Sequence, residues 1–422
     1  MIQRNKLSMP LLLACSLWAT EPARVVSWTA SPHGRYPSGN AVAQPELQNV
    51  LPGNTADDQT FRLIVKPDIF GRSARLRFSN AFGLQPITFD GVYVGLHASG
   101  GSLISGTNLP VRFNSGKTSV TVNRGQASYS DGIDLDFGGQ NLTGRKLAVS
   151  FHVVGRAGPM TWHAKAMSTS YLSAPHSGSH GAEEGNNAFP FTTTSWYFLD
   201  SIDVMGPCGV QATVAFGDSI TDGTNSTLNG DDRWPDFLSQ RLHAKYGQQV
   251  AVVNAGIGGN QILKAGGGPS ALERLDRDVI NLPGVTTVIW LEGINDLGSS
   301  GASVEDITDG FRRGVARLHE RRIRVIGATV VSSLKSTPTH GTPEVDAKRK
   351  AINDFIRKSG VFDGVADFDA ATIDAATGTL RAEFQPSSST GGPGDRLHPN
   401  RAGYQAMANA VDLNMIGRSS CN

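Results

Sequence analysis

Ala212-Thr213-Val214-Ala215-Phe216-Gly217-Asp218-Ser219-Ile220-Thr221-Asp222-Gly223 passes in one step from an uncharged, mostly apolar run to a polar turn bounded by glycines. A short apolar run without polar alternation suits a strand buried on both faces, as in a parallel sheet between helical layers. Gly217 permits a tight turn at its end. A serine placed just beyond is exposed at the top of the sheet, where its hydroxyl can attack a bound carbonyl. Taken alone, Gly-Asp-Ser is common turn chemistry, with Asp218 bonding nearby backbone amides. What surrounds it decides between the two.

Comparable apolar runs recur downstream at Val250–Val253, Thr287–Leu291 and Val325–Val331. Between them Val304, Ile307, Phe311, Val315 and Leu318 fall on one helical stripe. So do Ala351, Ile352, Phe355 and Ile356, and then Tyr404, Met407, Ala408 and Val411. Strand and helix alternate about five times, which predicts a doubly wound α/β domain over 208–422. Chemistry gathers at the carboxyl ends of the strands in that architecture.

Upstream, over 25–205, the period is two. Ala74, Leu76 and Phe78 alternate with Arg75 and Arg77, and Leu147, Val149, Phe151 and Val153 with Ala148, Ser150 and His152. Short half-buried strands separated by Gly, Asn, Asp and Pro predict an all-β sandwich or jelly roll without helices. Two domains of about 200 residues each suit a chain of this length.

Lys plus Arg total 38 and Asp plus Glu 37, so no net field draws the chain to nucleic acid or an anionic membrane. Residues 1–20 have the pattern of a signal peptide: Arg4 and Lys6 precede an apolar stretch from Leu7 to Ala19 that is too short to span a bilayer. Leu12-Leu13-Ala14-Cys15 resembles a lipoprotein processing box, with Leu13 a poor fit, so lipid anchoring at Cys15 is an alternative to release. Either way the expected location is secreted, periplasmic or otherwise outside the cytoplasm, with no membrane segment in the processed chain. Cys208 and Cys421 flank the second half, and in an oxidising compartment a bridge between them would clamp its ends. Chain entropy puts the gain at roughly 5 kcal/mol as an upper figure. Two unpaired thiols are the plainer reading.

Three more polar segments fall at or near strand ends. Asn254-Ala255-Gly256-Ile257-Gly258-Gly259-Asn260 can bring backbone N–H groups close to a developing oxyanion, or be an ordinary glycine-rich loop. Asn295, in Gly293-Ile294-Asn295-Asp296, can donate its amide to the same oxyanion or cap a helix. Asp395-Arg396-Leu397-His398 spaces acid and imidazole so that one turn joins them, leaving the other ring nitrogen to take a serine proton. As a metal site it lacks a Cys cluster or His-x-x-x-His, and no cofactor is expected. Trp234 is a pocket wall or helix core, Asp222 supports the serine turn or caps it, and His163, with no visible partner, is structural.

In this order the four segments resemble the GDSL esterases, also called SGNH hydrolases, over residues 210–420. The resemblance implies a three-layer, flavodoxin-like domain with Ser219 as nucleophile and His398 as base, oriented by Asp395. It further implies an oxyanion hole from the Ser219 and Gly259 N–H groups and the Asn295 amide, with Gly258 and Gly256 as close competitors for the glycine. Ile220 stands where many members have leucine. The expected activity is carboxylic ester hydrolysis on small acyl groups, such as acetyl esters of carbohydrates or short simple esters. A lysophospholipase or lipase is the near alternative, a non-catalytic glycan-binding protein the distant one. Acyl transfer to a sugar is a third. Oligomeric state is not legible.

Overall fold

The computed structural model describes residues 23–42 and 47–417. The expected signal segment, Cys15, and Cys421, on which the expected bridge to Cys208 depends, lie outside the described residues.

Gln211–Gly217 is buried along its whole length and forms a central strand. It pairs in parallel with Val250–Gly256 on one side and Val285–Leu291 on the other. The sheet continues through Arg324–Ala328 to Gly364–Ala366. In spatial order the strands run second, first, third, fourth, fifth. The direction of winding therefore reverses at the first strand, and a crevice opens beyond its carboxyl end.

Alternate residues of each strand face opposite helical layers. Ala215, Ile289 and Ile326 pack with Leu238 and Leu242 of helix Trp234–Tyr246 and with Tyr404 and Met407 of helix Arg401–Asn409. Val214, Val288 and Val325 pack with Phe311 and Leu318 of helix Val304–Glu320 and Ile352 of helix Pro343–Lys358. The result is the doubly wound three-layer domain expected. Ser303 and Thr342 start the latter two helices by accepting the N–H groups of Asp306 and Val345. The fourth strand stops at Ala328 instead of Val331. Val330 leaves the ladder because the Asn353 side chain takes over both its backbone groups, at 2.7 and 2.8 Å.

The N-terminal half is rich in strands. One antiparallel sheet contains Ala23–Thr29, Leu199–Gly206 and Ser73–Ser79; another contains Asp57–Val65, Leu147–Arg156 and Ile87–Ser99. Phe78 of the first lies 5.0 Å from Phe89 and 5.2 Å from Phe151 of the second, ring centre to ring centre. Two expectations need correction. Leu147–Val153 is buried on both faces, not one. Its outer face is covered because the fully buried Arg62 guanidinium bonds Ser150 Oγ and the Gly101 and Gly185 carbonyls, folding loops over the strand. A four-residue helix, Leu47–Val50, also interrupts the strands.

The halves are joined at several points. Val26 N–H donates to the Pro283 carbonyl at 2.9 Å. The Asp68 carboxylate accepts Val252 N–H at 2.6 Å, and Lys66 and Lys146 both pair with Asp231. Arg277 donates to the Pro32 carbonyl. Among the described residues no helix is long and apolar enough to cross a membrane.

Candidate active site

Ser219 opens a single helical turn, Ser219–Asp222, at the end of the central strand. The Asp218 side chain caps that turn by accepting Ile220 N–H at 3.0 Å, and Gly223, at φ +106°, ends it. A Cβ on Gly217 would come within 2.3 Å of the Leu291 carbonyl, so glycine is what lets the third strand lie alongside. Ser219 Oγ lies 2.7 Å from His398 Nε2. His398 Nδ1 lies 2.5 Å from Asp395 Oδ2, while Asp395 Oδ1 accepts the Leu397 and His398 N–H groups. The three-residue spacing thus closes as one turn before the last long helix. Burial would raise the Asp395 pKa, but the His398 contact and those two N–H groups hold it well below the usual carboxylate range. The imidazole can therefore take the serine proton, while the carboxylate orients the ring and steadies the charge it gains.

The glycine loop after the second strand sorts its own candidates. Gly256 N–H is engaged by Asn254 Oδ1 at 2.8 Å, and Gly258 N–H by Asp222 Oδ2 at 3.0 Å. Gly259, at φ +74°, has no such bond among the described residues. Asn295, beyond the third strand, donates one amide hydrogen to the Asn260 carbonyl at 3.0 Å and keeps a second. Two carboxyls sit beneath this site, where burial pushes Asp218 up to about 7 and Asp296 up to about 6. Asp296 accepts the Ile262 and Leu263 N–H groups, tying the loop to the third strand's end.

Sequence reasoning passed over Arg274. Its fully buried guanidinium donates to the Gly217 carbonyl (2.8 Å), the Ala255 carbonyl (2.7 Å) and Asn260 Oδ1 (2.7 Å), pairs with Asp278, and lies 4.0 Å over the Phe216 ring. One cation thereby locks two strand ends to the glycine loop. The signal was an arginine and an aspartate four apart on the otherwise apolar stripe Ala271, Leu275, Val279.

Of the remaining candidates, Trp234 is helix core: it is fully buried, donates to Thr221 Oγ1 and packs on Phe368. Asp222 is the last residue of the serine turn, and its side chain reaches out of it to accept Gly258 N–H. His163 is not unpaired; its Nε2 lies 3.1 Å from Asp222 Oδ1. Lys165, two residues on, donates to Thr224 Oγ1. The surface loop 386–394 also braces the serine loop, through Ser388 N–H to the Asn225 carbonyl and Ser389 Oγ to that of Ser226. Among the described residues no group of three or more His, Cys, Asp or Glu side chains could hold a metal ion.

Residues 215–406 match the GDSL-like Lipase/Acylhydrolase family. That match lies within the C-terminal half and spans somewhat less than half of the chain's length. Among solved structures, one similar chain is a GDSL-like lipase from Bacteroides thetaiotaomicron, at 19% identity and TM-score 0.37, covering 49% of this chain and 88% of that one. Another is a carbohydrate acetylesterase family member from Sinorhizobium meliloti, at 14% identity and TM-score 0.35, covering 48% and 95%. A third, a member of the lipolytic protein G-D-S-L family from Veillonella parvula, has 18% identity and TM-score 0.36, covering 48% and 96%. No protein of curated function matches the chain.

Proposed function

We propose that the protein is an exported serine esterase that hydrolyses carboxylic esters of small acyl groups through an acyl-enzyme. The observation that carries this reading is the unbroken contact from Ser219 Oγ through His398 to Asp395, at 2.7 and 2.5 Å. His398 Nε2 takes the proton as Ser219 Oγ attacks the ester carbonyl. The carbonyl oxygen becomes an oxyanion, received by the N–H groups of Ser219 and Gly259 and the free amide hydrogen of Asn295. Each such donor contributes on the order of 3 kcal/mol to lowering the barrier. Imidazolium His398, steadied by Asp395, then protonates the departing alkoxide. Water activated by the same imidazole attacks the acyl-enzyme, and the acid leaves as Ser219 regains its proton.

Small acyl groups, acetyl esters on carbohydrates or short simple esters, are favoured because no long apolar segment lies between the four motifs to lid a lipid chain. The N-terminal half, read as a two-layer sandwich on the strength of the Phe78, Phe89 and Phe151 contacts, suits a role in docking an acylated polymer beside the cleft. Export follows from the composition of residues 1–20. A series of 4-nitrophenyl esters of rising chain length tests the reading. The expected optimum is acetate or propionate; a preference for long chains points to a lipase or lysophospholipase. No hydrolysis at all, with polysaccharide still bound, points to a glycan-binding protein.

A further inference from the structure

We propose that His163, contributed by the strand-rich N-terminal half, is a positioning residue for the oxyanion loop of the other half: held as a doubly protonated imidazolium, it fixes the Asp222 carboxylate, which in turn fixes the Gly258 N–H. This rests on the esterase reading and gives the N-terminal half a part in catalysis apart from any polymer docking.

The geometry of the ring sets its protonation. His163 Nδ1 faces the Ser31 carbonyl at 3.1 Å, while Nε2 faces the Lys165 carbonyl and Asp222 Oδ1, each at 3.1 Å. Carbonyl oxygens only accept, so each nitrogen must carry a hydrogen. A neutral imidazole would set one bare lone pair against an oxygen lone pair in a buried site. His163 is 3% exposed and Asp222 likewise 3%, so their pairing is little screened by solvent.

The surroundings agree. Burial alone would lower the His163 pKa, but the Asp222 carboxylate and the two carbonyls hold it above the ordinary value. The neighbouring His33 is set the other way: its Nδ1 accepts the Ala164 N–H, and burial followed by the nearby His163 pushes it down to about 4. Other charges here are the Lys165 ammonium, bonded to Thr224 Oγ1, Arg277 near His33, and Arg233 and Asp218, both of which feel the Asp222 charge. The Trp196 ring closes another side, 5.6 Å away.

From Asp222 the constraint reaches the reacting atoms in two steps. Oδ2 accepts Gly258 N–H at 3.0 Å, one residue before Gly259, and Asp222 itself ends the turn that Ser219 begins. A Cβ on Gly256 would lie 2.2 Å from the Asp222 nitrogen, so the two loops meet backbone to backbone. Losing the imidazolium frees Asp222 to rotate, and the Gly259 N–H drifts from the oxyanion. Displacement of about 1 Å in a positioning element can lower turnover by roughly 100-fold.

Two measurements test the inference. On 4-nitrophenyl acetate, His163→Gln is expected to lower kcat about 10- to 100-fold with KM little changed, the mark of an interaction made in the transition state. Wild-type kcat should also fall on the alkaline side as His163 loses its proton, a limb that His163→Gln lacks. Independently, nitrogen NMR of histidine-labelled Ser219→Ala protein should show both His163 ring nitrogens protonated at pH 7.5. A neutral His163 in an active enzyme, or a folded His163→Gln with wild-type kcat, overturns the inference and leaves the esterase reading standing. An inert wild type whose His163 is doubly protonated supports the pairing and overturns the esterase reading instead.

Discussion

At the scale of single residues, removing either partner of the proton transfer, the serine or the imidazole, disables the chemistry while leaving the core untouched. Ser219→Ala and His398→Ala are expected to lose about 10⁴-fold or more in kcat, with the thermal midpoint nearly unchanged. Asp395→Ala costs less, because His398 keeps its contact with Ser219. Asn295→Ala should lose roughly 10²- to 10³-fold in kcat, and steady-state kinetics on 4-nitrophenyl acetate resolves all four. Glu292 makes a stability prediction. It is fully buried just past the third strand, and burial pushes its carboxyl up to about 8 against the pull of Arg274, 3.8 Å from an Oε1 that accepts no hydrogen bond among the described residues. A raised acid favours folding in its neutral form, so its contribution is intact below the unfolded value near 4.5 and is lost as pH rises through about 8. Glu292→Gln, which cannot ionise, should therefore gain thermal stability relative to wild type between pH 5 and 9, measured by calorimetry. A gap that narrows or reverses contradicts the assignment.

At the scale of elements, the glycines of the loop after the second strand differ in what they must avoid. Gly256→Ala drives a Cβ into the Asp222 backbone, whereas Gly258→Ala meets Asp222 Oδ2 at 3.6 Å and Lys165 Nζ at 3.8 Å, both ordinary contacts. Gly256→Ala is expected to lower the thermal midpoint by several degrees, at a cost of about 1–3 kcal/mol. Gly258→Ala should stay close to wild type, and thermal denaturation of the pair separates them. The same elements show what could be read in advance. Runs such as Ala212–Phe216 and Thr287–Leu291 announced strands because a strand buried on both faces needs no polar alternation. The Asp395 to His398 turn was legible because its partners are three residues apart. The end of the fourth strand was not, since Asn353, from a later helix, competes for Val330's backbone. Nor was the second buried face of Leu147–Val153, which depends on Arg62 finding carbonyls 39 and 123 residues away. His163 found its acid 59 residues on, in the other half, and no local period announces such a contact.

At the scale of the whole molecule, the two halves share their boundary too closely to act separately. Asp68 caps Val252 N–H of the second parallel strand, Gly284 packs on Val25, and His163 reaches Asp222. Differential scanning calorimetry should show one cooperative unfolding transition, and two well-separated peaks contradict this coupling. The claim beneath all of this is that loops from opposite ends of the domain set one serine against one imidazole in a working site. A fluorophosphonate probe, followed by proteolysis and mass spectrometry, tests it most directly. The account predicts a single labelled peptide carrying Ser219, with labelling abolished in Ser219→Ala and strongly slowed in His398→Ala. Stoichiometric labelling at a different serine, or labelling whose rate is indifferent to His398, contradicts it.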